Sequence, residues 1–141
     1  MAIRVLLADD SDCMLQAMRQ LLEEEPQIEI VGQASSFAET MVMVGALKPE
    51  VLLLDLHLAQ CGDFTPEFVR TQLEPVKNVL AVSFSNDDEA HELAKSYGAA
   101  TLLDKMSLYA KMIPAIKRCV GGGVEMDGRR GRETGAPIIP T

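Results

Sequence analysis

Four apolar runs, each ending in polar residues, constrain this chain most tightly. Ile3-Arg4-Val5-Leu6-Leu7-Ala8 ends in Asp9-Asp10, and Val51-Leu52-Leu53-Leu54 ends in Asp55. Asn78-Val79-Leu80-Ala81-Val82 ends in Ser83, and Ala99 to Leu103 leads through Asp104 to Lys105. Apolar runs of this length predict strands buried on both faces, as in a parallel sheet. A fifth, shorter strand is predicted over Ile28 to Val31. In open α/β sheets chemistry collects at the carboxyl ends of the strands. Every predicted strand but one delivers a polar group to that edge.

The segments between the strands read as helices. Met14, Leu15, Met18, Leu21 and Leu22 form one stripe over residues 12–25, and Pro26 stops it. Ser36-Phe37-Ala38-Glu39 has the form of a capping box, opening a helix with Phe37, Met41, Val44 and Leu47 inward. Thr65-Pro66 reads as an N-cap followed by proline in the first turn, for a helix running to about Leu73. Ala90, Leu93, Ala94 and Tyr97 mark a fourth helix, closed by Gly98. Ser107 opens a fifth, with Leu108, Met112, Ile116 and Cys119 on its stripe and Pro114 inside it. That proline removes one backbone hydrogen bond and is expected to kink the helix. Methionines on these stripes are core packing. No internal repeat is visible.

The acidic strand ends carry a chemical message. Two carboxylates about 4 Å apart at an effective dielectric of roughly 20 repel by about 4 kcal/mol, so such a cluster calls for a cation. Carboxylates without His or Cys side-chain ligands favour a hard ion, Mg²⁺ above all. A lysine and a hydroxyl on the same edge suit an oxyanion beside that ion. With a carboxylate at the centre, the natural product of phosphoryl transfer is an aspartyl phosphate.

Asp9-Asp10, Asp55, Ser83 and Lys105, in that order on a β/α alternation, resemble the receiver domain of two-component response regulators, of the chemotaxis-regulator type. The resemblance implies a flavodoxin-like, three-layer (βα)5 α/β fold with a five-stranded parallel sheet in the order 2-1-3-4-5. It implies Asp55 as phosphate acceptor. Asp10 would ligate Mg²⁺ directly and Asp9 partly through water, with Asp55 and the backbone carbonyl of His57 completing the metal shell. Lys105 would pair with phosphoryl oxygens, and Ser83 would hydrogen-bond to the phosphate and shift toward it on activation. The implied donor is a sensor histidine kinase or a phosphotransfer protein. Catalysis would be confined to the domain's own phosphorylation and dephosphorylation, and self-association as a homodimer stays open.

Several positions depart from the family pattern. Leu102 stands three before the lysine, where an aromatic commonly moves with the switch hydroxyl. Phe84 follows Ser83, where chemotaxis-type receivers usually carry a small residue. Ala59 replaces a common proline, and His57 is an unusual neighbour of the acceptor.

Composition narrows the function classes. A net charge of −8 argues against a nucleic-acid surface over most of the chain. No apolar run approaches the length of a membrane span, and no signal peptide is read before the first strand. Cys13, Cys61 and Cys119 are odd in number and unpatterned, so neither a disulfide framework nor a zinc site is suggested, and a reduced cytoplasmic setting is expected. The predicted receiver spans residues 1–121. Residues 122–141 read as a flexible Gly/Arg/Pro-containing tail, with a small basic patch at Arg129-Arg130-Gly131-Arg132. No helix-turn-helix pattern follows, so a receiver without an output domain is expected. The alternatives are the receiver part of a truncated DNA-binding regulator, and a receiver-like interaction module that works without phosphorylation. The complete acidic set argues against the second.

Overall fold

The structure, a computed structural model, describes residues 2–121. Five strands form one parallel sheet in the order β2-β1-β3-β4-β5. They are β1 (Ile3–Ala8), β2 (Ile28–Ala34), β3 (Val51–Asp55), β4 (Asn78–Ser83) and β5 (Thr101–Asp104). The helices are α1 (Asp12–Glu23), α2 (Phe37–Leu47), α3 (Leu56–Gln60), α4 (Pro66–Leu73), α5 (Asp88–Ser96) and α6 (Leu108–Gly121). The fold class and strand order are those expected.

β3 is the central strand, and all five of its residues are buried. Its alternating side chains feed two separate cores. Leu52 and Leu54 join Leu6, Phe37, Val69 and Ala94 under α2 to α5. Val51 and Leu53 point the other way and join Leu7, Leu22, Met112 and Ile116 under α1 and α6. Burying both faces is why the runs are unbroken rather than alternating.

Local chemistry sets the helix ends. Ser11 Oγ accepts from Met14 N, Ser36 Oγ from Glu39 N and Thr65 Oγ1 from Phe68 N. The capping box at α2 closes one residue earlier than its usual form, because Glu39 Oε1 accepts from Ser35 N at 2.7 Å. Gly98, at φ +84, supplies the left-handed residue that closes α5. α6 runs through Pro114 to Gly121.

The first helix ends at Glu23, short of the predicted 25, and four further features differ from the sequence reading. β2 continues to Ala34, past a register shift opposite Val5 and Leu6, since the bulge lets the pairing resume at Gly32. β5 begins at Thr101, because Ala99 and Ala100 turn out of α5 with their N–H groups bonded to the Ala94 and Val79 carbonyls. The last helix opens at Leu108, after a 3-10 turn over Lys105–Ser107. The short helix α3 has no counterpart in the sequence reading. The predicted tail, residues 122–141, lies outside the described residues.

Candidate functional site

β1, β3, β4 and β5 all end at one edge, and the residues at their ends meet there. Asp9 and Asp55 are buried, at 1% and 3% exposure, while Asp10 is exposed. One carboxylate oxygen from each of Asp9, Asp10 and Asp55 lies within 4.8 Å of the others. Lys105 reaches back from the end of β5 into this cluster with its side chain only 6% exposed. Its Nζ lies 2.9 Å from Asp9 Oδ2 and 3.5 Å from Asp55 Oδ1.

Asp9 and Asp55 are each held by backbone close by in the chain. Asp9 Oδ1 accepts from Ser11 N at 2.9 Å, and Asp55 Oδ1 caps α3 by accepting from His57 N at 3.2 Å. Burial pushes the Asp55 carboxyl above the ordinary carboxylate range, and the Asp9 charge adds to that rise. Lys105 and the His57 N–H pull it back, and Asp10 raises it slightly.

The donor set fits a hard divalent cation. Asp9 Oδ2 is buried and paired with the Lys105 ammonium at 2.9 Å. Three carboxylates gathered around one lysine leave negative charge that a cation would neutralise. Every side-chain ligand in the cluster is oxygen, which suits Mg²⁺ over softer metals.

The remaining expected residues arrive at the same edge. Ser83 Oγ accepts from Ser85 N at 2.9 Å, and Ser83, Asp55 and Lys105 line one cavity of about 870 Å³ between α3 and α5. His57 lines it too. Its carbonyl accepts from Cys61 N at 2.9 Å within α3, and its Nε2 stands 3.2 Å from Cys61 Sγ. One carbonyl lone pair therefore remains for another ligand. The structure thus gathers all six expected residues.

Three features were not read from the sequence, the first two of them at the site. Lys105 Nζ lies 5.0 Å from the centroid of the Phe84 ring. The cavity wall on α5 is acidic, with Asp87, Glu89 and Glu92 exposed along it. Phe64, in the loop after α3, stacks on Phe68 of α4 at 5.4 Å and meets Phe37 of α2 at 5.3 Å. The available signals were Phe84, an apolar residue next to a polar strand end, and the acidic run Asp87-Asp88-Glu89 that follows it.

Five parallel strands in this order, with carboxylates, a hydroxyl and a lysine converging where the order reverses, define a flavodoxin-like α/β domain with an acidic cluster and a lysine at its switch point. The model of the response regulator receiver domain matches residues 5–117, and the chain belongs to that family, the receivers of two-component systems. It is 37% identical over 121 residues to protein-glutamate methylesterase/protein-glutamine glutaminase 2 of Cereibacter sphaeroides, covering 83% of this chain and 33% of that protein. It is 30% identical over 129 residues to the transcriptional regulatory protein LiaR of Bacillus subtilis, covering 90% of this chain and 60% of that one. The chain therefore spans about a third of the first relative and 60% of the second. The signal receiver domain of NarL from Mycobacterium tuberculosis superposes with a TM-score of 0.74 at 25% identity, covering 86% of this chain and 98% of that one.

Proposed function

We propose that this receiver accepts a phosphoryl group on Asp55 from a phosphohistidine of a sensor histidine kinase or phosphotransfer protein, and signals through the resulting change of conformation. The observation that carries this reading is Lys105 reaching into a buried carboxylate cluster that holds more negative charge than it neutralises. Asp55 Oδ1 is anchored by the His57 N–H and Lys105, which leaves Oδ2 as the attacking oxygen. The phosphorus–nitrogen bond of the donor breaks as the oxygen–phosphorus bond forms. Lys105 then transfers its pairing from Asp55 to a phosphoryl oxygen, and Ser83 donates its hydroxyl to another.

Mg²⁺ would be held by Asp9, Asp10, Asp55 and the His57 carbonyl, and would supply charge neutralisation for the incoming phosphoryl oxygens. Asp9 is the more enclosed of the acid pair and is already paired with Lys105, whereas Asp10 is open to the cavity. That contrast supports direct ligation by Asp10 and a water-mediated part for Asp9.

Switching in this domain runs without an aromatic at position 102. Leu102 is half-buried and packed against the core under α5. A leucine has no ring or hydroxyl to exchange between buried and exposed states, so the mobile group is the Ser83–Ser85 segment. A cytoplasmic setting suits a kinase partner, and among the described residues no helix is long and apolar enough to cross a membrane. The partial coverage of LiaR supports a second reading, in which this receiver serves a DNA-binding effector.

The test is chemical. The protein is incubated with Mg²⁺ and excess phosphoramidate, the acyl phosphate is trapped by borohydride reduction, and the label is mapped. Reduction confined to Asp55 and absent from Asp55→Asn supports the reading. Equal labelling of Asp55→Asn overturns it.

A further inference from the structure

We infer that the mouth of this site selects a phosphohistidine presented on a basic protein surface and disfavours free anionic phosphodonors. The inference rests on Asp55 being the phosphoacceptor and specifies the kind of donor. Among the described residues Lys105 is the one lysine or arginine lining the cavity, and its ammonium is already paired with Asp9 and Asp55. Its side chain is 6% exposed, held by Asp9 and Asp55 on one side, with the Phe84 ring 5.0 Å away. Phe84 is itself 63% exposed, so the ring stands at the surface beside the buried ammonium rather than belonging to the core. The ring is therefore far more exposed than the ammonium that an incoming phosphoryl group would pair with.

The α5 wall of the cavity is negative. Asp87, Glu89 and Glu92 are exposed along the first turns of α5 and line the cavity together with Asp10. The amino end of α5 would ordinarily attract an anion. Here Asp87 Oδ1 accepts from Ala90 N, and Asp88 and Glu89 occupy the first turn, so the helix end is already compensated from within the chain. A small free donor such as acetyl phosphate carries its charge into this field unescorted. A phosphohistidine on a protein surface can bring lysines or arginines that pair with Asp87, Glu89 and Glu92. Fields of this kind change association rates by about tenfold or more and weaken with salt. In the transfer the imidazole, protonated on its second nitrogen, leaves as the neutral ring, and the phosphoryl group passes to Asp55.

Two synthetic phosphohistidine peptides of equal length test this, one flanked by lysines and one by glutamates, alongside acetyl phosphate. Initial rates of Asp55 phosphorylation are measured with Mg²⁺ at low and high salt. The expected result is a preference of about tenfold or more for the lysine peptide at low salt, shrinking severalfold at high salt and in Glu89→Gln/Glu92→Gln. Acetyl phosphate should react slowly with the parent and at least about threefold faster with Phe84→Ala or with the double variant. Circular dichroism melts verify that each variant is folded, and lysine-peptide transfer to Phe84→Ala verifies that its site is competent. Equal rates for the two peptides in the parent, or a preference unaffected by salt and by the double variant, overturn the inference while leaving Asp55 as acceptor. Failure of every donor to label Asp55 overturns the phosphoacceptor reading itself.

Discussion

Replacing Lys105 with methionine keeps an unbranched side chain one atom shorter and removes its charge. Lys105 Nζ faces Asp9 Oδ2 at 2.9 Å and Asp55 Oδ1 at 3.5 Å, with the side chain 6% exposed. At an effective dielectric of roughly 20, each attraction is worth about 5 kcal/mol before desolvation is counted. Lysine desolvation returns several kcal/mol of that on substitution. The carboxylates left behind stay buried beside one another, and breaking a buried pair from one side costs about 3–5 kcal/mol. The lower end applies here because the site opens to solvent at Asp10. Lys105→Met should therefore lose about 3 kcal/mol at pH 8 without Mg²⁺, or roughly 10 °C in melting temperature for a domain of this size.

The loss must depend on pH, and its sign follows from Asp55. Its folded-state pKa lies above 3.8, raised mainly by burial. The folded protein therefore keeps a proton that the unfolded chain has released. Stability falls as pH rises from 3.8 through the folded value. Lys105 is one of the influences that lower that value. Without it the folded pKa moves further up, and the fall becomes deeper and extends to higher pH. Urea denaturation at pH 5 and pH 8 checks this, with and without Mg²⁺. The deficit of Lys105→Met should be larger at pH 8, and Mg²⁺ should restore more stability to the variant than to the parent. A deficit equal at both pH values, or a variant as stable as the parent at pH 8, would show that the lysine does not offset buried carboxylate charge.

Asp10→Asn should raise the metal-free stability and lose most of the stabilisation by Mg²⁺, which for the parent is about 2.7 kcal/mol at 100 times the dissociation constant; melting curves across a Mg²⁺ titration read both effects. Gly62→Ala should destabilise by about 1–3 kcal/mol, because a Cβ there would lie 2.5 Å from the Phe64 ring, which is flanked by Phe37 and Phe68 and has little room to yield; a normal denaturation midpoint would count against it. Burial pushes the Cys119 thiol up to about 11, so the stability gained by keeping it neutral is present below pH 9 and lost as pH rises through 11. The exposed Cys13 and Cys61 should accordingly alkylate at pH 8 well before Cys119, as peptide mapping after brief iodoacetamide treatment would show.

The sheet and its polar edge were legible in the linear chain. Val51 to Leu54, apolar at every position, fit a central strand buried on both faces, and parallel strands bring their carboxyl ends to one edge. Ser36 and Thr65 were readable as caps because capping is a contact between residues two or three apart. The short helix α3 was not visible, because five residues carry too little periodicity and its N-cap is Asp55, whose carboxylate the sequence reading assigned wholly to chemistry. The inequality of the acid pair, by contrast, arises only in three dimensions. Asp9 and Asp10 are neighbours in the chain, yet one is buried against Lys105 and the other is exposed. Successive residues at the end of a strand point in opposite directions, and which direction meets the lysine depends on β5 lying beyond β3 and β4 in the sheet. The Phe84 ring beside Lys105 and the acidic wall of α5 arise the same way, from separate elements brought together at one sheet edge. Those contacts carry the donor selectivity inferred above, and they depend on distances that no spacing along the chain encodes.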